Sequence, residues 1–162
     1  MKRDLLRPDL LRIRLQQCLT LAEASPCPRR KFAALLIDER RNVVLADAYN
    51  GGPRKGGRLC GGETCIRDEG GFQSGTQVEI GCHHAEMNVI CNAASRGVAT
   101  EGMTLLVQGE PCLMCAKLIH HADIKRVYVV RGGYVGRNGV SYLRNHNVEV
   151  VELDGPQDER RR

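Results

Sequence analysis

The chain alternates two hydrophobic rhythms. Leu11, Leu15, Cys18, Leu19 and Ala22 recur at helical spacing, which predicts an amphipathic helix over 9–24, ended by Ser25-Pro26. KFAALLI (31–37) and VVLADAY (43–49) are apolar runs separated by the polar turn 38–42, the pattern of a hairpin. Residues 51–81 are rich in glycine and polar groups and carry little periodicity. A loop of that length inside a compact domain is usually functional. Helical spacing returns at 84–96, with Val89, Ile90 and Ala93 facing inward and Gly97 as the stop. TLLVQ (104–108) reads as a strand, 112–122 as a helix and RVYVVR (126–131) as a strand. A short helix near 138–146 and the strand VEVVEL (148–153) complete the pattern. After the first hairpin, strands alternate with helices. The expected class is α/β: a three-layer α/β/α sandwich around a mixed five-stranded sheet. The reading is one domain over 1–162, with flexible ends at 1–8 and 155–162 and an insertion loop at 51–81.

Composition and charge add to this picture. The chain has no run of eighteen apolar residues, so no membrane span is expected. Its N-terminus, MKRDLLRPDLLRIRLQQ, lacks the uninterrupted apolar stretch of a secretory signal, so a cytoplasmic location is expected. The net charge of +5 sits partly on Lys2, Arg3, Arg7, Arg12 and Arg14 and on Arg160 to Arg162, which reads as solvated ends. With no tryptophan, two Phe and four Tyr, the basic stripes interleaved with aromatics that single-strand binders use are not visible, so nucleic acid is not an expected partner. Eight cysteines without a secretion signal argue for metal rather than a disulfide framework. Cys18 and Cys91 fall on apolar helix faces and are expected in the core.

The candidate chemistry is concentrated in two short stretches. CHHAEMN (82–88) places a cysteine, two histidines and a glutamate just ahead of apolar helical sequence. GEPCLMC (109–115) places Pro111 where a helix would start, then Cys112 and Cys115 at i and i+3 on one face. Backbone N–H groups at that end of a helix favour thiolate over thiol. His84, Cys112 and Cys115 make three protein ligands, the number a catalytic zinc uses while it keeps a fourth position open. Glu86 is carried beside the metal without being needed as a ligand. H-x-E followed by P-C-x-x-C is the signature of zinc nucleobase deaminases, and both halves are present in order. A zinc knuckle would show a second CxxC or HxxxH pair and would leave Glu86 without a role. His83 reads as surface, a second shell around the metal, or a ligand of another metal. His120 and His121 read as exposed or capping groups at a helix end.

At these residues the chain resembles the deoxycytidylate (dCMP) deaminases of the cytidine deaminase superfamily, from about Ser25 to about Leu153. Ser25-Pro26-Cys27-Pro28-Arg29 resembles the family's S-x-C-x-R, and Tyr49-Asn50-Gly51-Gly52-Pro53 its YNG-x-P. His84 to Asn88 matches HAE-[LM]-N, and Pro111 to Lys117 matches PC-x-x-CAK. The resemblance implies a catalytic zinc on His84, Cys112 and Cys115. It implies Glu86 as the proton shuttle for water attacking C4 of cytosine, giving dUMP and ammonia and so supplying dTMP synthesis. It implies substrate contacts at Ser25, Arg29, Asn50, Ala85, Asn88 and Tyr134, with Asn50 at the sugar. A guanidinium fork such as that of Arg29 suits a phosphate. In some members, cysteines and a histidine outside the catalytic motif hold a second, structural zinc. This chain offers Cys27, Cys60, Cys65 and Cys82 for that role, with His83 as a substitute. The family also implies a homo-oligomer, often a hexamer, with dCTP and dTTP as effectors.

The chain departs from the family pattern at Ala33 and Asp123, where glycine is common, and at Asp47-Ala48, where a small pair is common before YNG. They touch packing and turns rather than zinc. The same zinc motif serves deaminases of tRNA adenosine, guanine and free cytidine, and a modified cytosine nucleotide is a further alternative. The rival of a different class is a zinc-stabilised binding protein that has lost catalysis, against which the intact Glu86 argues.

Overall fold

The computed structural model describes residues 6–53, 60, 62–73, 76, 78–132 and 138–155. The flexible ends expected at 1–8 and 155–162 lie mostly outside the described residues. Helix α1 (Pro8–Ala22) is followed by the hairpin β1 (Ala33–Asp38) and β2 (Val43–Tyr49). A four-residue helix, α2 (Ile66–Glu69), lies within the insertion, where no element was expected. Then come α3 (Ala85–Ala94), β3 (Thr104–Gln108), α4 (Leu113–His121), β4 (Arg126–Val130), α5 (Asn138–Asn145) and β5 (Glu149–Leu153).

The strands form one sheet in the order β2-β1-β3-β4-β5. β1 is antiparallel to both β2 and β3, while β3, β4 and β5 run parallel. The β3-α4-β4 and β4-α5-β5 connections advance in the same direction across the sheet. The fixed hand of such crossovers therefore puts α4 and α5 on one face. β1 is buried along its whole length, and its side chains alternate between layers. Ala34 and Leu36 pack with α3, α4 and α5, among Val89, Ala93, Ala116, Ile119 and Leu143. Ala33, Leu35 and Ile37 pack on the other face with Cys18 and Ala22 of α1. The three-layer sandwich and the mixed five-stranded sheet are as the sequence pattern predicts.

α3, α4 and α5 end in the same way. Gly97, Asp123 and Asn147 adopt φ of 66°, 52° and 62°. Behind them Val98, Ile124 and Val148 return their N–H groups to Ala93, Ile119 and Leu143 at 3.0, 3.4 and 3.0 Å. This is the Schellman termination, in which a left-handed residue closes the helix and the next side chain turns inward. Ile124 and Val148 are buried, and each leads into a strand. Asp123 thus occupies a left-handed position where the family commonly has glycine, and aspartate is one of the few residues that tolerates it.

Cys18 is buried as expected, and its thiol, pushed up to about 12 by burial, donates to the Ala33 carbonyl. Cys91 is exposed, contrary to expectation. The buried face of α3 runs through Ala85, Glu86, Val89, Ile90 and Ala93, and position 91 lies two residues, roughly half a turn, round from 89.

One ionic group ties the hairpin to the parallel half of the sheet. The Glu39 side chain is buried and accepts from Arg126, from Lys125 at 3.4 Å and from the Tyr128 hydroxyl at 3.2 Å. Arg126 also bonds Glu149 at 3.0 Å. Removing one partner of a buried ion pair strands the other charge. Glu39→Ala is therefore expected to lower the unfolding free energy by about 3–5 kcal/mol in urea titrations. A loss under about 1 kcal/mol would place this carboxylate among surface pairs instead.

Candidate active site

The site is built where two helices begin. β3 leads to Gly109, whose positive φ of 83° turns the chain and lets its N–H reach the Val130 carbonyl at 2.9 Å. Glu110 and Pro111 follow, and Cys112 caps α4, its Sγ accepting the Cys115 N–H at 3.5 Å. Pro111 therefore stands one residue ahead of the cap rather than in the first turn, and Cys112 lies outside the helix that its spacing suggested. Across the site, His84 caps α3 with extended backbone angles of −74° and 150°.

His84 Nδ1 lies 3.6 Å from Cys112 Sγ and 3.4 Å from Cys115 Sγ. The three ligand atoms fall within 4.8 Å of one another. A tetrahedral zinc with its usual bond lengths would hold sulfur and nitrogen about 3.5 Å apart. The donor set fits that ion and leaves one coordination position open. Cys112 is held down to about 4, chiefly by the hydrogen bond from Cys115, and the same bond pushes the Cys115 thiol up. Without metal the pair thus shares one proton, which a metal would displace. The Cys112 hydrogen bond is also the largest influence raising His84.

Glu86 sits in the first turn of α3 and is nearly buried. Burial raises its pKa, opposed by the charge of His84 and by a contact with Cys115. A carboxyl group beside a metal triad, with its pKa raised by burial, is placed to take up and release a proton.

A second cluster includes Cys82, two residues ahead of His84. Cys27, Cys60 and Cys82 bring their sulfurs within 4.8 Å of one another. Cys27 is lowered to about 5, chiefly by a hydrogen bond from Cys82, which is raised in turn. Cys65 caps α2 and stands outside this group. His83 exchanges backbone hydrogen bonds with Gly51 at 2.8 and 3.1 Å.

The expected substrate residues form a network of their own. The Ser25 hydroxyl donates to the Asn50 carbonyl at 2.7 Å and accepts the Cys27 N–H at 3.3 Å. Asn50 is buried; its Oδ1 accepts the Phe32 N–H, and its Nδ2 donates to the Arg30 carbonyl and to Cys82 Sγ. Asn88 Nδ2 donates to the Tyr49 carbonyl at 2.9 Å. Arg29 binds Asp68 at 3.1 Å and the Phe72 carbonyl at 3.2 Å, so it docks α2 on the scaffold. Ala85 is buried at the start of α3. Tyr134 lies outside the described residues.

Two contributors escaped the sequence reading. Arg67 of α2 donates to the carbonyls of Ile80, Thr76 and Gln73, fixing the chain that enters Cys82-His83-His84. No sequence signal marks such an arginine. Gly139 begins α5 against the metal loop, and a Cβ there would lie 1.9 Å from the Pro111 carbonyl oxygen. A glycine in the first turn of an amphipathic helix was a usable signal for close backbone approach.

The family model for the cytidine and deoxycytidylate deaminase zinc-binding region matches residues 12–131. ComE operon protein 2 of Bacillus subtilis (strain 168) is 34% identical over 117 residues, 70% of this chain, and the chain spans 55% of that protein's length. The deoxycytidylate deaminase of Mycobacterium phage D29 is 32% identical over 128 residues, covering 75% of this chain and 94% of the phage protein. The crystal structure of dCMP deaminase from cyanophage S-TIM5, in complex with dCMP and dUMP, superposes with a TM-score of 0.77. It is 25% identical, over 92% of this chain and 100% of that one.

Gly139→Ala must push back the Pro111–Cys112 backbone, since carbonyl and Cβ cannot share that space. Misplacing a reacting group by an ångström can cost about 100-fold in rate. The expected result is a folded protein with reduced zinc content and turnover at least ten-fold lower. Wild-type zinc content and rate would show that the loop moves aside without consequence.

Proposed function

The chain belongs to the cytidine and deoxycytidylate deaminase zinc-binding family, and on that premise we propose that it converts dCMP to dUMP and ammonia, supplying dTMP synthesis. One observation carries the chemistry: His84 Nδ1 and the sulfurs of Cys112 and Cys115 converge beside the buried carboxyl of Glu86. The substrate is supported by the phage D29 relative, matched over almost its full length, and by the cyanophage neighbour bound to dCMP and dUMP. Zinc held by the triad supplies the Lewis acidity that makes water a nucleophile near neutral pH. Glu86 takes one proton from the attacking water and delivers it to ring N3 as oxygen bonds to C4. It then carries the second proton to the exocyclic amine. The C4–N4 bond breaks, ammonia leaves, and a carbonyl stands at C4.

By family resemblance Ser25, Arg29 and Asn88 are the candidates for the phosphate end, with Tyr134 near the base or the phosphate. Arg29 uses Nε and Nη2 on Asp68 and Phe72, which leaves Nη1 for an anion. Ser25, Asn50 and Asn88 are each bonded to the protein's own backbone, and by the same resemblance Asn50 stands at the sugar. A second, structural zinc belongs on Cys27, Cys60 and Cys82, with Cys65 or His83 as the fourth ligand. Four ligands would close that site. One domain over 1–162 and a cytoplasmic location, read from length and from the N-terminal sequence, complete the reading, together with hexameric assembly and control by dCTP and dTTP, which rest on the resemblance alone. Among the described residues no helix is long and apolar enough to cross a membrane.

Ammonia release from zinc-loaded protein offered dCMP, CMP, deoxycytidine, dCTP, guanine and tRNA tests the substrate. Turnover of dCMP is expected, and Glu86→Gln should lower it by about 10²–10⁴-fold. Faster turnover of another substrate would keep the chemistry and discard dCMP. Metal analysis tests the second site separately: two zinc ions per chain are expected, and one in Cys82→Ser. A single zinc in the wild type would remove the structural ion.

A further inference from the structure

At the far end of α4 from Cys112 and Cys115, two imidazoles from different helices stand side by side. His120 belongs to the last turn of α4, and His146 follows α5. Their ring centres are 4.9 Å apart with planes inclined at 50°. Both rings are tied to the same residue. His146 Nδ1 is 2.8 Å from the Tyr142 carbonyl oxygen, and the Tyr142 ring stacks on His146 at 4.0 Å. His120 Nδ1 is 3.3 Å from the Tyr142 hydroxyl.

A carbonyl oxygen only accepts, so His146 carries its proton on Nδ1 and its Nε2 keeps a lone pair. The hydroxyl allows His120 the same tautomer. Each imidazole thus spends Nδ1 on Tyr142 and has Nε2 left over. A metal-binding histidine characteristically uses its other nitrogen on a carbonyl or similar acceptor, which fixes ring orientation and tautomer. The spacing agrees. Two imidazoles binding one ion through nitrogens at 2.0–2.1 Å place their ring centres roughly 4.5–5.5 Å apart at tetrahedral to right angles. His146 is exposed and His120 half-buried, so an ion can arrive from solvent. His121 is 5.6 Å from His120, but neighbours on one helix diverge by about 100°, so it is not part of the pair.

We propose that His120 and His146 form a two-imidazole site for a divalent transition metal of the zinc, nickel or copper class, separate from both cysteine-containing clusters. Imidazole without thiolate suits these ions, and water completes the coordination. The ion joins the C-terminal turn of α4 to the end of α5, and it adds positive charge where the dipole of α4 favours it. Because it binds the folded pair and not the unfolded chain, it stabilises the fold increasingly as its free concentration rises above the dissociation constant.

Nickel is the probe, because it favours imidazole and does not oxidise thiols. Protein that retains its cysteine-held zinc, with loosely bound metal removed by dialysis, is titrated with Ni2+ by calorimetry, with His120→Asn, His146→Asn and His121→Asn alongside. All four proteins are first checked for equal zinc content and circular dichroism. One nickel per chain at micromolar affinity is expected in the wild type and in His121→Asn. At least a ten-fold loss of affinity is expected in each of the other two, together with loss of the nickel-induced rise in Tm. Absence of saturable binding, binding that survives either substitution, or equal loss in His121→Asn would overturn the assignment. Sulfur-to-nickel charge-transfer absorption would place the ion on the cysteines and overturn it equally.

Discussion

Two helices must begin at the same point in space. His84 and Cys112 are 28 residues apart, yet their ligand atoms lie within hydrogen-bonding reach. Nothing local can enforce this; the sheet does. α3 lies over β1 and β2, and α4 springs from the end of β3, the strand on the other side of β1. The floor under these helices includes Ala34, Ala46 and Ala48, all buried. Small side chains there allow a close approach, and Val89, Ala93, Ala116 and Ile119 fill the remaining volume. The metal triad thus depends on a packed core several residues removed from any ligand. Its donor atoms are held near the separation zinc requires by a structure that has no other reason to bring them together.

The segment from Cys82 to His84 makes the second constraint. Cys82 faces one cysteine cluster, His84 faces the other, and between them His83 pairs its backbone with Gly51. Asn50 then reaches Cys82 and the backbone at Arg30 and Phe32, while Ser25 holds the Asn50 carbonyl. Three chain segments that are remote in sequence are therefore fastened around one short strand-like stretch. Movement at Cys82 must be felt at His84, because the bridge between them leaves no slack. α2 reinforces the same stretch. Arg29 anchors it through Asp68, and Arg67 gathers the carbonyls leading into the segment. The insertion serves as a brace for the metal loop.

Periodicity made the fold legible because both core faces repeat cleanly. The alternation of β1 between the two layers and the buried face of α3 follow directly from apolar spacing. The triad and Glu86 were legible because metal chemistry restricts residue type and spacing to a narrow set. Other features required contacts that only folding supplies. Cys91 reads as apolar by composition, but half a turn separates it from the buried face. α2 is too short to carry a periodic signal, and arginine clamps it rather than hydrophobic packing. Asn50 is polar and beside a motif, but its hydrogen bonds to the backbone at Arg30 and Phe32 and to Cys82 Sγ join segments remote in sequence and form only on folding. Asp123 stood out as a departure from glycine, and its φ of 52° shows that the geometry was kept while the residue changed.

α4 gathers these arguments into one element. It has nine residues, hardly more than two turns, and both ends carry chemistry. The N-terminus presents the Cys115 N–H to the sulfur of Cys112, and the last turn carries His120 and His121. A helix dipole favours anionic groups at its start and cationic ones at its end, by about 0.3–1 kcal/mol each. Thiolate at one end and imidazole at the other follow that polarity. So short a helix has no long interior to absorb fraying, and an isolated helix of this length would not persist in water. Its stability comes from Ala116 and Ile119 in the core, from Ile124 behind its terminus, and from α5, where the absent side chain of Gly139 lets the Pro111 carbonyl approach. Packing at the back of α4 and metal geometry at its front are therefore one energetic problem: whatever holds the last turn also holds the first.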